Sequence, residues 1–305
     1  MHEHIARTLY YFNIHLLYAS FVWFAAWALT SSLRASATAK YWIWVAAALN
    51  FILPLGVAPD ALWSVHLRWA SPLGAAGDVA NTLSRNWLVL LLWALGAIVM
   101  LTRLALRLQT DRRHARSYQT NLDQVAWSAD GVPVRFTPSQ QAPAVNGVLH
   151  PHIALPNGIE RLLTGPELNA VILHELTHVR RRDNLIRLIY EIGLCFVWFH
   201  PLVWIAGRRL AVYRELSCDE SVIRQAHASE LVSALAKLAD PRHDFLLQAT
   251  ASSFISHRLG RLSASQAQPR HSSANWAMAA AFSGALLTGV FATVAHTACC
   301  FIAKH

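Results

Sequence analysis

The chain has 305 residues, 14% of them charged and 54% hydrophobic, with a net charge of +9 and a mean hydropathy of +0.31. Ordinary soluble domains carry about 25% charged residues. The composition therefore excludes a wholly soluble enzyme and leaves room for one membrane bundle plus one modest domain. Of its four cysteines, Cys195 and Cys218 are too few and too scattered for a disulfide framework or a Cys-rich zinc site, and the adjacent Cys299 and Cys300 read as small hydrophobes in an apolar run.

In chain order, the first elements are apolar runs. A helix needs about 20 such residues to cross a bilayer, and four runs set the predicted spans, near 9–30, 41–59, 86–102 and 274–298. A fifth run, "IGLCFVWFHPLVWIAG" from Ile192 to Gly207, is shorter and is broken by His200-Pro201. It reads as a buried or interfacial helix pair. Basic residues cluster beside the runs, so the positive charge points to lipid headgroups and not to nucleic acid. Arg103, Arg107, Arg112, Arg113 and Arg116 follow the third run, Arg258, Arg261 and Arg270 precede the fourth, and the Asp60–Arg85 loop is balanced. This asymmetry predicts a multi-pass membrane chain with both termini outside and everything from Arg103 to Arg270 in the cytoplasm.

The predicted organisation is a membrane bundle over 1–102, a cytoplasmic domain over 103–250, a flexible linker over 251–273, the last span, and a short outer tail at 299–305. The inserted domain starts with strands. "VAWSADGVPVRF" places Asp130-Gly131 between two apolar runs, a hairpin pattern. "AVNGVLHPHIALP" follows as an extended stretch, after which helices take over.

One of those helices carries chemistry. Thr164-Gly165-Pro166-Glu167 is a capping box with proline placed early, and predicts a helix through "ELNAVILHELTHVRR". His174 and His178 are one turn apart on one face, a spacing that lets both imidazoles bind one zinc ion. Glu175 stands beside them as general base for a water whose pKa zinc brings down toward 7. An open site needs a third protein ligand. Asp183, Glu191, Glu215, Cys218, Asp219 and Glu220 lie downstream. In "RRLAVYRELSCDES", Glu215 and Asp219 are again four apart, which supplies a ligand, Glu215, and an outer acceptor for a histidine N–H, Asp219. Cys218 is the rival ligand. Asp183 reads as the cap of the next helix, the Arg180–Arg182 triplet as a complement to the helix dipole, His200 as a structural histidine, and His15, inside the first span, as either a functional group or a neutral hydrogen-bonded histidine of the bundle.

"HELTHVRRRDN", "FVWFHPLVWIAGRRL", "RELSCDES" and "VNGVLHPHIALP" together resemble the BlaR/MecR-like antirepressor metallopeptidases of bacteria, gluzincins of the inner membrane distantly related to the HtpX and Ste24 proteases. The match spans most of Pro133 to Ile223. The resemblance implies a mostly α membrane protein: four transmembrane helices with an inserted cytoplasmic α+β zincin-like domain. It implies one Zn2+ held by His174, His178 and Glu215, Glu175 as base, Asp219 behind a ligand, and a substrate-binding edge strand over Asn146, Gly147, Val148 and Leu149. The receptor members carry an outer β-lactam-binding domain after the fourth span, and the expectation here is a chain without one. The implied activity is an endopeptidase that cuts a cytoplasmic protein, such as a winged-helix repressor, and itself near Ser253-Phe254. A separate sensor or a second copy would then bring the signal. The alternatives are a quality-control protease of the HtpX/Ste24 kind and a non-catalytic, zinc-stabilised membrane scaffold.

Overall fold

The computed structural model describes residues 2–32, 35–52, 87–119, 125–137, 142–225, 227–239 and Arg258. The protein is mostly helical, with one small mixed sheet. It divides into two compact units. The first comprises Met1–Leu104, Tyr190–Ala211 and His271–His305, and the second Ala105–Ile189 and Val212–Arg270.

In the first unit, α1 (His2–Ser32) packs on α2 (Ala37–Ile52). Ala19, Ala26, Ala39 and Ala47 are fully buried, so small side chains lie where the chain is most closely packed. Trp23 stands edge-on to Trp44 at 5.7 Å between ring centroids. Ser36 caps α2, its Oγ accepting the Ala39 N–H at 3.1 Å. The third helix, α3 (Trp87–Gln119), includes Trp87–Asp111, which among the described residues is the one helix long and apolar enough to cross a membrane, with a mean hydropathy of 2.2. Leu91, Leu92, Leu95 and Ile98 are all exposed on it, a surface too apolar for ordinary contact with water. Gly96 is where Trp198 comes closest, since a Cβ there would meet the indole at 2.2 Å. The first apolar run lies in α1 and the start of the second in α2. The remainder of the second run, the Asp60–Arg85 loop, the fourth predicted span, the outer tail and the linker apart from Arg258 lie outside the described residues.

In the second unit, β1 (Val125–Ala129) and β2 (Val132–Thr137) form the expected hairpin. Asp130 (φ 48°) and Gly131 (φ 75°) make its two-residue turn, and both carry the positive φ that such a tight turn demands. β3 (Ala144–Asn146) and β4 (His152–Pro156) complete a sheet of order β1-β2-β4-β3, with β2 and β4 parallel and the outer pairs antiparallel. β3 is therefore an edge strand. Of the four residues expected in that strand only Asn146 belongs to it, and Gly147, Val148 and Leu149 lie in the following bend. The reason is local: Gly147 has φ 86°, and a Cβ on it would stand 2.5 Å from the His150 carbonyl oxygen, so the chain turns away there.

After a short α4 (Ile159–Leu162) comes α5 (Gly165–Arg181), opened by the predicted capping box, in which the Thr164 N–H donates to Glu167 Oε2 at 2.7 Å. Val171, Ile172 and Leu176 of α5 pack against Val134, Ile153 and Leu155 of the sheet and Ala234 and Leu238 of α8 (Ala228–Leu238). Fully burying each of these larger aliphatic side chains contributes about 1.5–3 kcal/mol. His174 and His178 stand outside that apolar cluster. The helix stops at Arg182, which takes the left-handed conformation (φ 56°) while its N–H bonds back to the His178 and Val179 carbonyls. α6 (Asp183–Phe196) begins immediately after, and α7 (Pro201–Arg224) follows the break at His200-Pro201.

Candidate metal centre

α5 delivers His174, Glu175 and His178, α7 delivers Glu215, Cys218 and Asp219, and the first turn of α6 delivers Asp183. The two Nε2 atoms of His174 and His178 lie 3.3 Å apart. Glu215 Oε2 stands 3.5 Å from the first and 3.7 Å from the second. Tetrahedral coordination with bonds of about 2.0–2.1 Å sets donor atoms about 3.3–3.4 Å apart. Three donors of the right chemistry thus converge at nearly that spacing, and these residues fit a zinc ion.

Each histidine is backed by an aspartate. His178 Nδ1–H donates to Asp183 Oδ2 at 2.7 Å. His174 Nδ1 lies 3.1 Å from Asp219 Oδ1, a close charge contact without the alignment of a full hydrogen bond. Both acceptors occupy the far nitrogen, which leaves Nε2 of each ring turned toward the point of convergence. Burial opposes charge on His174, but the Asp219 and Glu215 carboxylates outweigh it and raise its pKa to about 9. Burial likewise opposes charge on His178, which Asp183, Cys218 and Glu215 nevertheless hold well above the usual range. Burial alone would push the Glu215 carboxyl up, yet the two histidines and Arg214 keep it well below ordinary. Glu175 is buried beside this group.

Cys218 also reaches the cluster. With His174 and His178 it forms a His–His–Cys group whose candidate donor atoms all lie within 4.8 Å of one another. The thiol, however, faces the back of the His178 ring, with Sγ 3.5 Å from Nδ1, the nitrogen that Asp183 already engages. It is also 3.0 Å from Arg181 Nη2. The Glu215 oxygen, on the Nε2 side of both rings, has the better geometry.

Two residues here have roles that local sequence pattern does not signal. Asp183, read as a helix cap, is the hydrogen-bond acceptor for His178 and is paired in turn with Arg181 Nη2 at 2.6 Å. Arg258, read as a loop charge within a flexible linker, is buried and grips Asp219 with two hydrogen bonds, Nε to Oδ2 at 2.9 Å and Nη2 to Oδ1 at 2.6 Å. Asn184 Nδ2 donates to the Val145 and Gly147 carbonyls at 3.0 and 2.9 Å, tying the start of α6 to the edge strand. Ser253 and Phe254 lie outside the described residues. His200 belongs to the first unit, its Nε2–H directed to Ser20 Oγ at 3.3 Å, and His15 is buried on α1.

This arrangement can be set against known proteins. The profile described as BlaR1 peptidase M56 matches residues 11–257, most of the chain and all of the centre except Arg258. The chain belongs to the BlaR1 peptidase M56 family. Among curated relatives, it is 25% identical to "Regulatory protein BlaR1" of Bacillus licheniformis over 199 residues, covering 57% of this chain and 33% of that protein. It is 23% identical to "Methicillin resistance mecR1 protein" of Staphylococcus aureus (strain Mu50 / ATCC 700699) over 155 residues, covering 47% of this chain and 26% of that one. The matches thus span about a quarter to a third of the relatives' length. The BlaR/MecR-like resemblance read from the four sequence motifs is borne out.

Proposed function

We propose that the chain is an integral membrane zinc endopeptidase that passes a signal by cutting a cytoplasmic protein. The observation that carries this reading is the convergence of His174 Nε2, His178 Nε2 and Glu215 Oε2 within 3.3–3.7 Å of one another. When bound there, zinc supplies Lewis acidity to the scissile carbonyl and to the attacking water. Asp219 and Asp183 hold the two ring orientations, so that both Nε2 lone pairs face one point. Glu175 takes the proton of the attacking water and hands it to the leaving amine nitrogen. The edge strand β3, with Asn146 at its end, aligns an extended substrate, and Gly147, Val148 and Leu149 line the adjoining bend.

The names of the relatives, a regulatory protein and a resistance protein, support a signalling role over a housekeeping one. The substrate proposed is a transcriptional repressor, with a second, intramolecular cut near Ser253-Phe254. The apolar band of α3 supports one of the four spans proposed from the apolar runs, and the distribution of arginines supports both termini outside and the peptidase domain over 103–250 in the cytoplasm.

The test is Glu175→Gln in the full chain. It is expected to retain one zinc per chain and to lose cleavage of a cytoplasmic substrate, because a neutral amide cannot accept the water's proton. Cleavage at the wild-type rate by that variant would overturn the mechanism. Reporter insertions near Gln140 and in the Asp60–Arg85 loop check the topology, the first expected inside and the second outside.

A further inference from the structure

The two histidines are supported in parallel but unequal ways. Behind His178 stands Asp183, and behind Asp183 stands Arg181, with 2.7 Å and 2.6 Å contacts to the same carboxylate oxygen. All three residues belong to one short stretch of chain, so this support is built into the α5–α6 junction. Behind His174 stands Asp219, and behind Asp219 stands Arg258. Here the cation comes from beyond the last described helix in sequence, one residue past the end of the family match.

Arg258 is placed to act on His174 through Asp219. The fork of its guanidinium covers both Asp219 oxygens, and Oδ1 is shared between Arg258 Nη2 at 2.6 Å and His174 Nδ1 at 3.1 Å. All three side chains are buried. A buried guanidinium and a buried carboxylate are each costly alone, and each is tolerated because the other meets it with two directed hydrogen bonds. With Arg258 in place the plane of the Asp219 carboxylate is set, so its Oδ1 stays against His174 Nδ1 and leaves the ring's other nitrogen uncovered. Without Arg258, Asp219 would be free to turn and His174 would lose the fixed orientation that aims Nε2 at Glu215.

We propose that Arg258 is a positioning residue for His174, acting through Asp219, and that half of the metal centre thereby depends on the Arg258 guanidinium. The proposal rests on the reading of this cluster as a zinc centre. Its consequence is specific: removing the Arg258 guanidinium would loosen the His174 arm while leaving the His178 arm, held by Asp183 and Arg181, intact.

The experiment measures zinc affinity by chelator competition on the full chain in detergent, for wild type, Arg258→Gln, Arg258→Lys, Asp219→Asn and the Asp219→Asn/Arg258→Gln double variant. Outer partners of metal-bound histidines typically contribute 10–100-fold in affinity. Arg258→Gln is expected to lose on that order, and Arg258→Lys to recover part of it, because lysine keeps the charge but not the fork. In the Asp219→Asn background, Arg258→Gln is expected to cost nothing further, since the relay is already cut. The visible spectrum of the cobalt-substituted protein is expected to change in Arg258→Gln. Unchanged affinity and an unchanged cobalt spectrum in Arg258→Gln would overturn the proposal, as would a full additive loss in the double variant. If Arg258→Gln fails to fold, the Arg258→Lys comparison decides: wild-type affinity with a wild-type spectrum counts against the fork. A wild-type chain that binds no zinc would instead remove the zinc reading itself.

Discussion

His178 and Asp183 are joined by a 2.7 Å hydrogen bond across the junction of two helices. The junction exists because Arg182 adopts a left-handed conformation and lets α6 start without a loop, which swings Asp183 beneath the histidine ring. The same carboxylate oxygen accepts from Arg181. Replacing Asp183 by Ala leaves a buried guanidinium and an imidazole N–H without their acceptor. The expected cost is about 3 kcal/mol, the lower end for breaking a buried ion pair, because Arg181 keeps its bonds to Ser217 and to the Arg214 carbonyl. Thermal unfolding of the variant checks this, together with a zinc affinity expected to fall about 10–100-fold. An unchanged melting temperature would show that the pair is structurally idle.

Glu167 predicts an acid-sensitive step. Burial alone would raise its pKa, but Lys237, Ser233 and the Thr164 N–H hold the carboxyl down from 4.5 to about 2. A depressed folded pKa means that the stabilisation is fully present above the ordinary value and is lost as pH falls from about 4.5 toward 2. The contacts join the start of α5 to α8. Glu167→Gln is therefore expected to melt lower than wild type at pH 7, with the gap closing between pH 4.5 and 2. A constant gap across that window would mean that Glu167 contributes through shape and not charge.

Asn184 predicts a kinetic signature. Its amide holds the Val145 and Gly147 carbonyls and so fixes the end of β3 against α6. If β3 is the strand along which substrate lies, Asn184→Ala is expected to raise KM for a peptide substrate severalfold with a smaller change in kcat. Steady-state kinetics on the full chain read the split, and a loss confined to kcat would separate Asn184 from substrate alignment.

Parts of this structure were legible in the sequence because their causes are local. The α5 start follows from Thr164, Pro166 and Glu167, and the hairpin turn from Asp130-Gly131, each a pattern within a few residues. The pairings His174/His178 and Glu215/Asp219 follow from helical spacing, which puts residues four apart on one face. The end of β3 was misplaced because a single glycine conformation, at Gly147, decides where the strand stops. Asp183 resembled an ordinary helix cap, and its role depends on Arg182 bending the chain in a way that its residue type does not announce. Arg258 left no signal at all: its partner Asp219 is far away in sequence, and the charge looked like one of several beside an apolar run. Of the predicted spans, Trp87–Asp111 is the helix whose length and hydropathy qualify among the described residues.

The central claim is that a zinc ion is held by His174, His178 and Glu215, with Cys218 behind the cluster and not in it. Zinc per chain, measured by elemental analysis on purified Glu215→Ala and Cys218→Ser, tests it most directly. An open site reduced to two ligands binds weakly. The account predicts one zinc per chain in Cys218→Ser and a sharp loss in Glu215→Ala. Full zinc in Glu215→Ala with loss in Cys218→Ser would contradict it and transfer the third ligand to the thiol.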